Sequence, residues 1–200
     1  MKIMQFKKII TLIIFFSSLN TLAFANFESE ENFVSDFAAS AISILGDEGL
    51  NNNDKNIQFT DLVMSSIDID FISQIVLGKY WKLISDDQKS EYLKAFRAYF
   101  ISSYANRLDQ YSGEKVVVIS SNAAKKYVIV KTNIVREGTE TLKIELDWRL
   151  IKRDGSTKIV DLSIEGISLI IAERETFISY LNNNDGNLAS LIKMMQSKTN

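Results

Sequence analysis

The most regular hydrophobic pattern in the chain predicts one long amphipathic helix near its middle. Six large apolar residues recur there at steps of three and four, which places them on one helical face. They are Leu93, Phe96, Phe100, Tyr104, Leu108 and Tyr111. Ser85 and Gln88 form a capping-box pattern just before this stripe, so the helix is expected to run from about residue 86 to about residue 111. Its broad aromatic face is either filled core or the wall of an apolar cavity.

Shorter helices are predicted on both sides of this long one. Apolar residues at helical spacing predict helices over 33–45 and 57–66. A third, short helix is expected between Asp68, which would cap its start, and Gly78, which would end it. After Glu165-Gly166 the helical period returns over 167–181, and a last amphipathic helix is predicted over 188–195.

Between Gly113 and Glu165 the hydrophobic period changes from about 3.6 to about 2, which predicts strands. Four strands are expected, over 116–119, 127–135, 141–152 and 160–164, with turns at Asn122-Ala123, Glu137-Gly138 and Asp154-Gly155. One face of the third strand is apolar, and it carries Leu142, Ile144, Leu146, Trp148 and Leu150. Such alternation indicates one covered face and one wet face. We therefore expect an α+β fold with helices packed on one face of a four-stranded antiparallel sheet.

The first 25 residues have the features of a cleaved secretory signal peptide. A basic start with Lys2, Lys7 and Lys8 precedes an apolar stretch over 9–19, and Ala23-Phe24-Ala25 supplies the small-x-small pattern of a cleavage site. About 11 apolar residues are too few to span a membrane, which needs roughly 20. We expect cleavage after Ala25 and a single domain over 26–200, and an uncleaved N-terminal anchor is the alternative.

Composition excludes several kinds of chemistry. The chain has no His and no Cys, so a Ser-His-Asp triad, a thiolate nucleophile, a disulfide and a Cys- or His-ligated metal site are all impossible. The net charge is −2, and loss of the three lysines within residues 1–25 lowers it to about −5. A nucleic-acid-binding protein needs a basic face instead.

The composition leaves open a Ser-Lys nucleophile, which no spacing supports, and paired carboxylates. Asp147, Asp161 and Glu165 are candidates for acid–base work in an exported hydrolytic or small-molecule-binding domain. They fall on the face of the sheet opposite the apolar one, so a solvated outer surface is the simpler interpretation. The hydrolytic alternative requires at least two carboxylates that face into a pocket. A third possibility is a structural or adhesion protein whose apolar face is fully packed.

Aromatic residues are concentrated where helices and sheet must meet. They are Tyr80, Trp81, Phe96, Tyr99, Phe100, Tyr104, Tyr111, Trp148 and Phe177. Singly, each is an ordinary core residue. Together they supply more bulky apolar surface than a flat two-layer contact needs, and a cavity lined in this way suits a long apolar ligand.

Five motifs carry a family resemblance. In chain order they are LGKYWK at 77–82, YANRLDQYSG at 104–113, LDWRLIKRDG at 146–155, IVDLSIEGISL at 159–169 and ERETF at 173–177. With the residues between them, they resemble the MlaC-type periplasmic phospholipid-binding family, also described as the toluene-tolerance auxiliary component, over about residues 33–195. Two positions depart from the family pattern: its Trp on the fourth strand is replaced near Lys158, and its Pro-Phe-Asp becomes Ser66-Ile67-Asp68.

The resemblance implies a periplasmic carrier that is not an enzyme and needs no cofactor. Its helices and sheet would enclose an apolar cavity that takes a glycerophospholipid by the acyl chains. Such a carrier exchanges lipid with an outer-membrane lipoprotein–porin complex and with an inner-membrane ABC transporter that carries an MCE-domain subunit, and so maintains outer-membrane lipid asymmetry. We expect a monomer with those partners and no nucleic-acid partner.

Twelve residues are expected to bind the lipid, with Val76, Tyr80 and Trp81 at the mouth of the cavity. The full set is Val76, Tyr80, Trp81, Phe96, Phe100, Tyr104, Ile129, Leu146, Trp148, Ile164, Ile167 and Phe177. Four cationic residues are candidates to meet the lipid phosphate, although a solvated position is the simpler interpretation for each. They are Arg97, Arg107, Arg149 and Lys152.

Overall fold

Six α-helices account for the helical part of the structure. The computed structural model describes residues 26–105, 114–136 and 139–199, without the side chains of residues 104–105 and 139–142. The helices are α1 (Glu28–Gly46), α2 (Asn52–Ser66), α3 (Ile69–Leu77), α4 (Asp86–Ala105), α5 (Leu169–Asn183) and α6 (Leu188–Ser197), with a 3-10 helix over Gly78–Lys82 between α3 and α4. Every predicted helix is present, although the predicted end of the long helix, 106–111, lies outside the described residues. None of the described helices combines the length and apolar character that a membrane span requires.

The sheet is an antiparallel meander of five strands rather than the predicted four. The strands are β1 (Glu114–Ala124), β2 (Tyr127–Arg136), β3 (Thr139–Arg153), β4 (Ser156–Ile164) and β5 (Ile167–Ser168), paired in chain order. Glu165 and Gly166 both have positive φ, 49° and 78°, and this two-residue turn lets β5 pair back on β4. A strand of two residues is too short to show alternation, which is why the sequence pattern missed it.

The turn between β1 and β2 lies three residues later than predicted. Asn122 and Ala123 belong to β1, and the turn is Lys125-Lys126, where Ala124 pairs with Tyr127. Lys125 has a φ of 59°, a conformation that turn prediction expects of Gly or Asn rather than Lys. The predicted Asp154-Gly155 turn is confirmed, with φ values of 50° and 76°. The predicted Glu137-Gly138 turn lies outside the described residues.

Two predicted helix starts are confirmed by their hydrogen bonds. The amide of Phe71 donates to the Asp68 carboxylate over 3.0 Å at the start of α3. Before α4, the amide of Ser85 donates to Gln88 Oε1 over 2.9 Å, and the amide of Gln88 donates to Ser85 Oγ over 3.3 Å. These bonds satisfy backbone donors that a helix N-terminus otherwise leaves unpaired.

Gly78 ends α3 in a conformation that only glycine accepts readily. Its φ is 59° and its ψ is −124°. A Cβ atom at this position would lie 2.8 Å from Cζ of Arg174 on α5. Arg174 is held there because its Nη1 donates to the carbonyl oxygen of Ile75 over 2.5 Å. Gly78 therefore lets α5 cover the C-terminal end of α3.

The hydrophobic core is divided into two clusters. The helical cluster is built from α2 to α6 and has Val76, Leu77, Tyr92, Phe96, Phe177 and Leu191 among its fully buried members. The sheet cluster is smaller and consists of Val34, Val130, Leu146, Trp148, Leu150 and Ile159, with Val34 contributed by α1. Ile67, which follows α2, packs against both clusters. This division leaves space between helices and sheet.

Candidate functional site

An apolar cavity lies between the two hydrophobic clusters. Its volume is about 790 Å³ when the open space at its mouth is included. Residues from α1, α2, α3, α4, α5 and the sheet contribute to its wall. They are Phe37, Phe59, Val63, Ile67, Ile72, Phe100, Trp148, Ile159, Asp161, Leu162, Leu169 and Ile170. The cavity therefore occupies the layer where a fully packed α+β domain would have its core.

Trp148 lines the cavity, and two contacts fix the orientation of its side chain. Its Nε1 donates to Thr132 Oγ1 over 2.9 Å, and both side chains are buried. Phe37 of α1 meets the indole edge-on, with ring centroids 5.7 Å apart and an interplanar angle of 71°. The hydrogen bond satisfies the polar end of the indole, so its apolar surface is free to face the cavity.

Among the described residues, Asp161 is the one carboxylate that lines the cavity, and it is only 4% exposed. Our prediction of a solvated outer position for this residue is wrong. The β3–β4 register shifts between Arg149 and Leu150, so that Leu150 pairs with Ile159 while Arg149 pairs with Asp161. The extra residue in β4 is a β-bulge, which changes the direction of the side chains beside it.

Hydrogen bonds at the start of α5 account for the burial of Asp161. Its Oδ2 accepts from Ser168 Oγ over 2.7 Å, and its Oδ1 accepts from the amide of Ile170 over 3.3 Å. Arg149 Nη1 lies 3.5 Å from Oδ2 as an ion pair. A carboxylate with these partners joins β4 to α5 and stabilises the helix N-terminus. Within the part of the chain that the structure describes, no group of three side chains is arranged to hold a metal ion.

Phe100 and Trp148 are the two predicted lipid-binding residues that line this cavity. Three others are buried deeper in the helical cluster, and Leu146 is buried in the sheet cluster. Those three are Val76, Phe96 and Phe177. The side chain of Tyr104 is outside the described residues.

The remaining predicted lipid-binding residues lie away from the cavity wall. Tyr80 and Trp81 pack against the helical cluster, and the Tyr80 hydroxyl donates to Asn182 Oδ1 over 2.9 Å. Ile129 pairs with Arg149, one residue from the Val130–Trp148 pair, which places it on the opposite face of the sheet. Ile164 and Ile167 are 37% and 66% exposed.

The sequence interpretation missed most of the wall contributed by the early helices. Phe59 and Val63 are four residues apart on α2, and both line the cavity. Their spacing is the signal that marks a helix face. The other apolar positions of α2 are too few to make the face stand out, so this helix gave a weak pattern. Phe37 belongs to the apolar stripe of α1, which the sequence did predict.

The fold and the site together define a class of protein: an α+β domain with an apolar cavity enclosed between a helical layer and an antiparallel sheet. The family described as MlaC protein matches residues 35–197. The chain therefore belongs to the MlaC family.

Two relatives illustrate the match. One, from Haemophilus influenzae, is named intermembrane phospholipid transport system binding protein MlaC and is 25% identical over 134 residues, which cover 66% of this chain. The match spans 62% of that relative, less than two thirds of its length. The other is a solved structure of a phospholipid-binding protein from Ralstonia solanacearum in complex with a phospholipid. It has 22% identity and a TM-score of 0.72, over 84% of this chain and 96% of that one, and so shares the fold.

Proposed function

We propose that this protein is a periplasmic carrier that binds a glycerophospholipid by its acyl chains and performs no catalysis. The observation that carries the proposal is the apolar cavity between the helical and sheet clusters, whose described wall contains one charged side chain, Asp161. The names of the two relatives, one a transport-system binding protein and the other a protein bound to phospholipid, support the same ligand class.

The energetics of lipid transfer explain why such a cavity is needed. Two acyl chains carry roughly 30 methylene groups, and exposing each to water costs about 0.8 kcal/mol. Free diffusion of a phospholipid between two membranes therefore faces a barrier on the order of 25 kcal/mol. A protein cavity offers nearly the same apolar surroundings as a bilayer, so loading and release lie close to balance. The direction of transport must then come from the partners.

Membership of the family supports a proposal about the partners. We infer exchange of lipid with an outer-membrane lipoprotein–porin complex and with an inner-membrane ABC transporter carrying an MCE-domain subunit. Through this exchange the carrier would maintain the lipid asymmetry of the outer membrane. The signal-peptide pattern of residues 1–25 supports a periplasmic location.

The hydrolytic alternative has less support from the cavity. It requires at least two inward carboxylates, and the described lining contains one, Asp161. That carboxylate accepts hydrogen bonds from Ser168 and from the amide of Ile170. A group occupied in this way joins two elements and is poorly placed to accept a proton from a substrate.

Lipid content of the purified protein tests the proposal. The mature chain, produced in a bacterial periplasm, is analysed by native mass spectrometry and by organic extraction. We expect one phospholipid per protein, and uptake of lipid by delipidated protein from vesicles. Absence of phospholipid from the extract, combined with no uptake from vesicles, would contradict the proposal.

A further inference from the structure

Three exposed isoleucines form an apolar patch where β4, β5 and α5 meet. Ile164, Ile167 and Ile171 are 37%, 66% and 46% exposed. Ile164 and Ile167 are partners in the β4–β5 register, so their side chains lie next to each other on one face. Ile171 is in the first turn of α5, where its amide donates to Ser168 Oγ over 3.1 Å and holds it close to β5. One exposed isoleucine is ordinary, whereas a group of three indicates a contact surface.

This isoleucine patch lies immediately outside the part of the cavity wall that β4 and α5 build. Leu162 lines the cavity and is two residues before Ile164 on β4, so both side chains are on the covered face of the sheet. Leu169 and Ile170 line the cavity at the start of α5, and Ile171 follows them. The patch therefore belongs to the two elements that would have to be passed by a ligand leaving at this side.

Two hydrogen bonds to β3 fix the turn that carries the patch. The amide of Glu165 donates to the carbonyl oxygen of Glu145 over 3.0 Å. The amide of Glu145 donates in return to Glu165 Oε1 over 2.6 Å. The turn between β4 and β5 is thus attached to the neighbouring strand. A surface held in this way loses little conformational entropy when another molecule covers it.

Acidic residues predominate around the isoleucine patch. The segments 143–146 and 163–176, which carry or flank it, contain four carboxylates and two cations. They are Glu145, Glu165, Glu173, Glu175, Lys143 and Arg174. Arg174 is already bonded, since its Nη1 donates to the carbonyl oxygen of Ile75. Glu145, Glu165 and Glu175 are exposed. A surface that covers the patch therefore meets mostly carboxylates at its rim.

We propose that the isoleucine patch docks a partner protein whose contact surface is apolar at the centre and basic at the rim. The proposal rests on the proposed function, because the docked partner exchanges lipid with the adjoining cavity. The carboxylates repel the anionic lipids of a bilayer surface, and the net negative charge of the mature chain adds to this repulsion. The same carboxylates attract a basic protein surface and speed its encounter.

Docking at this patch also explains why transfer needs a partner. A covered patch excludes water from the surface beside β4 and α5, so acyl chains that leave the cavity there enter apolar surroundings. Without the partner the same chains would be exposed to water, at about 0.8 kcal/mol for each methylene group. Ile164 and Ile167, which do not line the cavity, thus have a role at its outer side.

Lipid exchange with several kinds of vesicle tests this proposal. The mature protein is loaded with a fluorescent phospholipid and mixed with vesicles. These are protein-free, or contain the reconstituted inner-membrane or outer-membrane complex of the same organism. We expect Ile167→Ser combined with Ile171→Ser to slow exchange with at least one complex about tenfold, as for residues central to an interface. Exchange with protein-free vesicles should be unchanged.

A matched pair of exposed apolar residues serves as the control. Ile57 on α2 and Leu83 after the 3-10 helix are 52% and 74% exposed and lie outside the patch. Ile57→Ser combined with Leu83→Ser should leave every exchange rate unchanged. Both double variants should keep the lipid content and the thermal midpoint of the wild type, because substitutions of exposed residues have little effect on stability.

The charge of the rim is tested independently by Glu145→Gln combined with Glu165→Gln. An amide oxygen at position 165 can still accept the hydrogen bond from the amide of residue 145, so the turn is preserved. We expect exchange with the complex to slow about threefold at low ionic strength and to equal that of the wild type at high salt. Glu48→Gln combined with Asp185→Asn removes two other exposed carboxylates and should have no such effect.

Four results would overturn the proposal or its basis. Equal exchange rates for the patch variant and its control would show that the patch docks no partner. Equal slowing with protein-free vesicles would assign the patch to a bilayer surface instead. A wild-type dimer in analytical ultracentrifugation that the patch variant dissociates would assign it to a second copy of this chain. Wild-type protein that binds no lipid and exchanges none with any vesicle would contradict the proposed function itself.

Discussion

Trp148 shows how one residue serves both the sheet and the cavity. Its indole lies on the apolar face of β3, as the alternating pattern predicts, and forms part of the cavity wall. The 2.9 Å hydrogen bond to Thr132 fixes the ring orientation. Both partners are buried, so losing one leaves a polar atom of the other without its partner.

We expect Trp148→Phe to lower the free energy of unfolding by about 1–3 kcal/mol, because the buried Thr132 hydroxyl loses its hydrogen bond. Thr132→Val should cost less in the Trp148→Phe background than in the wild type. Urea unfolding of the four proteins measures this coupling. Strictly additive losses would show that the hydrogen bond does not contribute.

Phe96 and Phe100 show the limit of periodicity at this scale. They are four residues apart on α4, so the pattern places them on one face, and their ring centroids are 6.0 Å apart. Both belong to the helical cluster, but Phe100 also lines the cavity, whereas Phe96 does not and packs against Phe177. Periodicity predicts which side of a helix a residue lies on. It does not predict whether neighbouring helices cover that residue or leave it at the cavity wall. Its depth in the core depends on which neighbouring helices cover each turn.

Among the elements, those with strong local signals were predicted well. The capping box before α4, the Asp68 start of α3 and the alternation of β3 are all encoded by neighbouring residues. Asp161 was not, because the bulge that buries it depends on how β3 pairs with β4. β5 and the Lys125-Lys126 turn were also missed, since tertiary pairing rather than residue type determines them.

Gly78 provides a prediction about the junction between α3 and α5. Gly78→Ala combines an unfavourable φ with a Cβ atom 2.8 Å from Arg174, whereas Gly155→Ala has a similar φ of 76° and no atom within 4 Å. We expect Gly155→Ala to cost about 1–2 kcal/mol of unfolding free energy. Gly78→Ala should cost about 1–3 kcal/mol more, because a residue with a Cβ atom disfavours the ψ of −124° at this position and because Arg174 must move and release the carbonyl of Ile75.

Thermal or urea unfolding of the two glycine variants provides the comparison. Arg174→Ala in the Gly78→Ala background removes the clash, so its additional cost should be smaller than the cost of Arg174→Ala alone. Equal losses for Gly78→Ala and Gly155→Ala would show that the contact between α5 and the end of α3 is not tightly packed.

For the whole molecule, the central feature is a hydrophobic core divided into two clusters with an apolar cavity between them. The α+β class could be predicted from the change of period along the chain, because each element shows one apolar face. The sequence does not predict whether those faces fill the space between them, since the cavity volume depends on the separation of the layers and on side chains from seven helices and strands. Here the helical and sheet clusters remain separate, and the apolar cavity between them has a volume of about 790 Å³ including its opening to solvent.

The position of bound acyl chains tests this account most directly. The protein is loaded with a glycerophospholipid that carries a photoreactive diazirine in one acyl chain, irradiated, digested and analysed by mass spectrometry, with an excess of unlabelled lipid as the control. We predict adducts on cavity residues from both layers, such as Phe37, Val63 and Leu162. Adducts confined to exposed residues such as Ile167 and Ile171 would contradict the claim that the cavity holds the lipid.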